Sequence, residues 1–237
     1  MKKEILAVML LLTVALGAAF AAAADPVGPD TITPTSKGRR ANSAAQNLSA
    51  YAGNVTELII SSTTVTDVWQ GYFGNISGTV VLDDANNKSM YAWQDLSPSG
   101  EIFAVRTSNA VTWASIECAD LPAITAEETA LNIADLEKDG INETFNKTST
   151  TDIYVGSQPV ADCTFSQFLY ENDAAATQSN FEELLLHDGT YMVYTAIINQ
   201  DKTGYDNAAH DFQLMVPEDG HNGDTATTNY YFYVELN

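Results

Sequence analysis

Three carboxylates, an amide and a histidine crowd around two glycines in the run Pro217-Glu218-Asp219-Gly220-His221-Asn222-Gly223-Asp224. Calcium takes oxygen ligands from flexible loops, and Glu218, Asp219, Asn222 and Asp224 could supply them here. The spacing is not that of an EF-hand, and an ordinary polar connection accounts for the same residues. A poorer set of the same kind stands at Asp201, Tyr205, Asp206 and Asn207.

Acid–base or nucleophilic catalysis has less to draw on. The chain contains no GxSxG elbow, no HExxH pair and no glycine-rich phosphate loop, and His187, His210 and His221 are scattered. The sequence therefore reads as a protein without enzymatic activity and without a cofactor other than calcium. Glycoside hydrolysis stays open only because so acidic a chain offers many carboxylate pairs, none of them singled out.

Cys118 and Cys163 are the only cysteines. An even count in an oxidising compartment implies a bridge, and no CxxC or clustered histidine offers a metal site instead. Such a bridge closes a loop of roughly 45 residues and stabilises by about 3–4 kcal/mol on the chain-entropy account. Asn47, Asn54, Asn75, Asn87, Asn142 and Asn146 each open an Asn-X-Ser/Thr sequon, about twice the number expected by chance. They read as glycosylation sites, with Asn75 and Asn87 foremost because they border expected turns. The aromatic run from Trp69 to Gly78 could stack on sugar faces if exposed, but aromatics flanked by glycines at strand borders more often close a core.

The compartment is written in the first residues. Lys2 and Lys3 precede an apolar run from Ile5 to Phe20 that ends in Ala21 to Ala24, the order of a secretory signal cut near Ala24. No later stretch is long and apolar enough to span a bilayer, so membrane attachment is expected only through the uncleaved signal. The balance of 10 basic against 31 acidic residues, net −21, argues against nucleic acid as a partner, since such a surface repels phosphates.

Positioning these residues requires strands. Residues 1–24 form the signal, 25–40 an extended segment with Pro26, Pro29 and Pro34, and 41–237 a β-sandwich domain, with a two-part division near 120 as the alternative, which a Cys118–Cys163 bridge would tie together. Strands are expected at Val55–Ile60, Gly78–Leu82, Met90–Trp93 and Glu101–Thr107, joined by turns at 84–87 and 97–100 into a meander. Thr125 and Glu128 form a capping box for a helix over 126–136, and a further helical turn is expected near 140–146. Phe181–Leu186 and Tyr191–Ile198 flank the turn dipeptide Asp188-Gly189. The terminal run sets Tyr230, Phe232, Val234 and Leu236 on one face and Tyr231, Tyr233 and Glu235 on the other. The fold expected is mainly β, an antiparallel β-sandwich with one short helical insertion.

The phrases Gly53-Asn54-Val55-Thr56-Glu57-Leu58, Trp69 to Gly78, Gly220 to Thr228 and Tyr230 to Leu236 resemble those of an uncharacterised group of archaeal secreted, sequon-rich surface proteins. The resemblance covers most of the mature chain and implies a surface location, with no activity or site residues. The function expected is that of a secreted cell-surface glycoprotein serving as a structural, filament or envelope subunit whose partners are other surface subunits or copies of itself. The competing expectation is an extracellular module that binds glycan, a cation or a neighbouring cell. Residues 31–50, with Ile32, Leu48 and the adjoining Tyr51, are expected either to contact a neighbouring subunit or to form the first strand of their own domain.

Overall fold

The computed structural model describes residues 24–93, 98–134, 136–175, 180–219 and 227–236. Strands take up 33% and helices 9%, and every paired ladder is antiparallel. In chain order the strands are β1 (Trp69–Gly74), β2 (Val80–Asp83), β3 (Ser89–Trp93), β4 (Gly100–Val105), β5 (Glu117–Cys118), β6 (Ile153–Val155), β7 (Gln158–Val160), β8 (Ser166–Phe168) and β9 (Glu182–His187). They continue with β10 (Met192–Ile198), β11 (Lys202–Thr203), β12 (Ala209–His210), β13 (Phe212–Pro217) and β14 (Tyr231–Leu236). A 3-10 turn at Trp113–Ser115 precedes β5, and helices α1 (Leu121–Ala130) and α2 (Ile141–Thr144) follow it.

The central sheet runs β14-β4-β10-β9-β5, with β8 pairing β9 alongside β5. Its middle strands are apolar on both faces, because both faces are covered. Ile102, Ala104, Leu185, Tyr194 and Ala196 point to a core closed by Leu214 and Val216 of β13 and by Ile124 and Ile141 of the helices. Phe103, Val105, Leu184, Leu186 and Val193 point the other way, to Trp113, Ile116, Ile153, Val155 and Val160. A two-stranded β1–β13 ribbon thus forms the second layer of a sandwich, and the β6–β7 hairpin with the 3-10 turn forms a third. The Cys118–Cys163 disulfide, with Cα atoms 5.2 Å apart, ties β5 to the chain after β7.

Several local expectations are met. Asp188-Gly189 makes the β9–β10 turn, with Gly189 at φ +90°, and Met192 pairs with His187 across it. Tyr230, Phe232, Val234 and Leu236 pack on the first core while Tyr233 packs on the second.

Three expectations are corrected. The meander stops at β3: β2 and β3 form their own hairpin, and β4 pairs with β10 and β14 instead. Val55–Ile60 pairs with no strand among the described residues and lies exposed. Helix α1 starts earlier than expected, because Asp120, not Thr125, is the cap: its side chain accepts a 2.9 Å bond from the Ala123 N–H. Pro122 in the first turn is a helix starter there, since that position needs no N–H donor.

Candidate functional site

Among the described residues the longest unbroken exposed stretch lies before β1. Residues 30–64 are exposed throughout and contain no helix or strand. Both ends of this arm are held. At one end Val27 exchanges backbone hydrogen bonds of 3.1 and 2.8 Å with Val234 on the edge strand β14. At the other the Thr66 hydroxyl donates to the Asp139 carboxylate, and the Trp69 indole N–H donates to the Asp139 carbonyl at 2.6 Å. Arg39 pairs with Asp67 near that second anchor. A hollow of about 550 Å³ lies at the base, lined among others by Thr66, Val68, Ile133 and Asp139.

The arm carries the strand-forming run Val55-Thr56-Glu57-Leu58-Ile59-Ile60, in which Ile59 is 97% and Ile60 83% exposed. β-branched and long apolar side chains favour a pleated, half-buried setting, and here their own fold gives them none. Fully burying such a side chain stabilises by about 1.5–3 kcal/mol, so the run retains several kcal/mol of unused association energy.

A second exposed apolar surface is the β2–β3 hairpin. Its turn is built by Asp84, whose Oδ1 accepts from the backbone N–H groups of Asn86 (2.8 Å) and Lys88 (3.0 Å), with Asn87 at φ +58°. Val80, Val81, Leu82, Met90, Tyr91 and Trp93 are all exposed, and the Tyr91 and Trp93 rings meet edge to face at 5.0 Å. Among the described residues this hairpin pairs with no other strand, so both outer edges present unpaired backbone groups.

The cluster foreseen at Asp201, Tyr205, Asp206 and Asn207 is partly assembled. Tyr205, Asp206 and Asn207 line a hollow of about 320 Å³ with Asn172 and Asp173, which sequence spacing did not bring forward. The loops are joined by bonds from the Asn172 N–H to the Gly204 carbonyl (3.0 Å) and from the Asp173 N–H to the Tyr205 carbonyl (2.7 Å). Asp201 is engaged elsewhere, its N–H donating to Asp211 Oδ1 at 2.9 Å. Phe73 packs on Tyr205 and His210, and His210 Nε2 lies 2.9 Å from Asp206 Oδ1. The Asp206 carboxyl is held below its ordinary range by the Ala208 N–H and further by His210.

Of the expected calcium ligands, Asn222 and Asp224 lie outside the described residues, as does His221; Glu218 is placed by its N–H, which donates to the Val68 carbonyl at 2.6 Å. Among the described residues no three histidine, cysteine or acidic side chains are grouped to hold a metal. Five sequon asparagines, at 47, 54, 75, 87 and 146, are exposed; Asn142 is half-buried beside Glu128, whose carboxylate accepts its backbone N–H at 3.0 Å. The aromatic run is divided: Trp69 packs on Phe145, while Tyr72 and Phe73 stay partly exposed.

Sequence reading also passed over a set of buried carboxylates. Glu182 accepts from the Thr150 N–H and the Thr151 hydroxyl, at 2.9 and 2.8 Å. Arg106 binds both oxygens of Glu127 at 2.9 Å. Glu183, fully buried, accepts from the Met215 N–H at 2.9 Å and so stitches β9 to β13 across the two layers. Burial pushes the Glu183 carboxyl well above the usual range, and the Met215 bond only partly offsets it. Arg106, Glu127 and Glu183 all act on the buried Tyr194 hydroxyl, with the Tyr230 ring 5.9 Å from that of Tyr194.

Comparison with protein-family models, curated proteins and solved structures gives no match.

Proposed function

We propose that the chain is an exported surface subunit that assembles with copies of itself by adding the 55–60 run of one arm to an open strand edge of the next copy. The observation that carries this reading is the arm: a strand-forming apolar segment, fixed to the folded body at both ends and unsatisfied by it. Strand addition gives affinity through backbone hydrogen bonds and register through alternate side chains. The β2–β3 hairpin supplies open edges and an apolar face of matching character. No helix among the described residues is long and apolar enough to cross a membrane, and the disulfide fits a non-reducing compartment. The signal, the sequons and the resemblance to exported archaeal proteins support a glycosylated surface location.

Light scattering of the mature chain, with and without the paired substitution Ile59→Asp and Ile60→Asp, tests the reading. Assembly of the parent and a folded, monomeric variant are expected. A parent that stays monomeric as its concentration rises, or a variant that still assembles, contradicts it.

A binding-module reading is favoured by one separate observation, the Tyr205 hollow, where an aromatic ring borders the side chains of Asn172, Asp173, Asp206 and Asn207. Rings stack on apolar sugar faces while amides and carboxylates take hydroxyls. Titration with simple sugars against a Tyr205→Ala control decides it: saturable binding lost in the variant supports the module, and no binding removes it.

A further inference from the structure

Glu101 and Glu235 face one another on the edge of the central sheet, as directly opposed residues of β4 and β14. Opposed residues of an antiparallel pair hold their Cβ atoms about 4.5–5.5 Å apart, and like charges there repel. Both are buried, Glu101 at 5% exposure, and the Glu101 Oε2 atom has no hydrogen-bond partner among the described residues. Glu235 is held by the Gly156 N–H, at 2.8 and 3.1 Å from its two oxygens. Among the described residues no cation acts on either carboxylate. Across β4 from the pair, β10 offers Ile197, and the charge acting on Glu235 from the N-terminal segment is the Asp25 carboxylate. Burial and the Glu235 carboxylate push Glu101 up to about 8. Two buried acids without a counter-ion are a costly arrangement, and a cation beside them would relieve it.

Residues Ala24 and Asp25 lie at this spot. A Cβ built on Gly156, the residue that holds Glu235, would stand 3.1 Å from Asp25 Oδ1, 3.7 Å from Asp25 Cα and 3.8 Å from the Ala24 carbonyl oxygen. The Ala24–Asp25 peptide bond therefore lies against the Gly156 turn. Pro26 is buried and Val27 is bonded to Val234, so the residues following that bond are fixed in place.

We propose that the signal is cut between Ala24 and Asp25 and that the new α-ammonium of Asp25 is the counter-ion of the Glu101–Glu235 pair, locking the foot of the arm to β14 only in the processed protein. The peptide nitrogen of Asp25 is uncharged while Ala24 is attached; hydrolysis by a signal-removing peptidase breaks the Ala24 C–Asp25 N bond, water giving its oxygen to Ala24 as a carboxylate and its two protons to the Asp25 nitrogen as an ammonium. The lock secures the end of the arm through which an assembled neighbour would pull. This rests on the reading of the chain as exported with removal of its signal.

The test compares two otherwise identical proteins, one beginning at Asp25 and one retaining Ala24 before it, by NMR titration of the terminal amine and of the Glu101 carboxyl. With Asp25 first, the amine midpoint is expected to rise by about one unit or more above the ordinary 7.7–8.0, and Glu101 to fall below the value it keeps in the extended protein. Glu235→Gln in the Asp25 form should return the amine toward its ordinary midpoint. An amine that titrates in the ordinary range, or a Glu101 midpoint equal in both proteins, overturns the ion pair while leaving export untouched. N-terminal sequencing of the native protein closes the matter: a start at Asp25 supports the proposal, a start elsewhere in the processed chain overturns it, and a start at Met1 overturns the export reading with it.

Discussion

Glu183 makes stability depend on pH in a direction that a single glutamine removes. Its carboxyl is buried in the layer between β9 and β13, one oxygen taking the Met215 N–H and Oε1 taking no bond from the described residues. Its folded pKa is therefore raised well above 4.5. The folded protein keeps a proton that the unfolded chain releases, so this contribution is intact below about 4.5 and is lost as pH rises toward the folded value. Wherever the folded protein keeps the proton that the unfolded chain has lost, the slope is at most one proton, about 1.4 kcal/mol per pH unit, and the range from about pH 5 to about pH 7 lies above the unfolded midpoint. Glu183→Gln keeps the acceptor for Met215 and cannot ionise in the unfolded state. Its amide inherits an unsatisfied position, a pH-independent offset of about 1–3 kcal/mol, so the signal is the difference in slope rather than in level. Urea denaturation of both proteins across this range reads it directly. Parallel stability curves for parent and variant would refute the burial argument.

Reducing the Cys118–Cys163 bridge, or replacing both residues by serine, should cost about 3–4 kcal/mol, read as a lower urea midpoint. Arg106→Met should cost about 2–3 kcal/mol, below the 3–5 typical of a broken buried pair because Arg106 is a third exposed. Glu127→Leu added to it should recover most of the loss, and a double-mutant cycle checks this. Native material should carry glycan on Asn54, Asn75 or Asn87, visible as an intact mass above that of the polypeptide; a mass equal to the bare chain contradicts it. Glycan on Asn54, next to Val55, should weaken assembly, and Asn54→Gln should then strengthen it.

What the sequence made legible was local. The Asp188-Gly189 turn, the β2–β3 turn at Asp84–Asn87 and the two-faced terminal strand depend on neighbours a few residues apart, and each is found where the residues put it. The mainly-β class follows from many such local cues. What stayed hidden was distant pairing: nothing in Glu101–Val105 announces that its partners are Thr195 and Tyr233 rather than β3. Val55–Ile60 carries every mark of a strand, yet strand propensity states only a preference for a pleated surface and not which chain provides it. Pro122 hid the start of α1 because a proline reads as a breaker unless its place in the first turn is known. The Tyr205 hollow was half visible, since Asn172 and Asp173 reach it from a loop more than thirty residues earlier in the chain. Buried glutamates such as Glu101, Glu183 and Glu235 cannot be told from surface acids in so acidic a composition, as their burial is a property of the assembled layers.

Hydrogen exchange on residues 55–60 tests the central claim most directly, because strand addition must place their amides in ladder hydrogen bonds with another copy. In dilute monomer these amides are exposed and should exchange at nearly the rate of an unstructured peptide. In assembled material alternate amides along the run should become protected, while the 84–87 turn stays unchanged. Free exchange of the whole run in fully assembled protein would contradict the account.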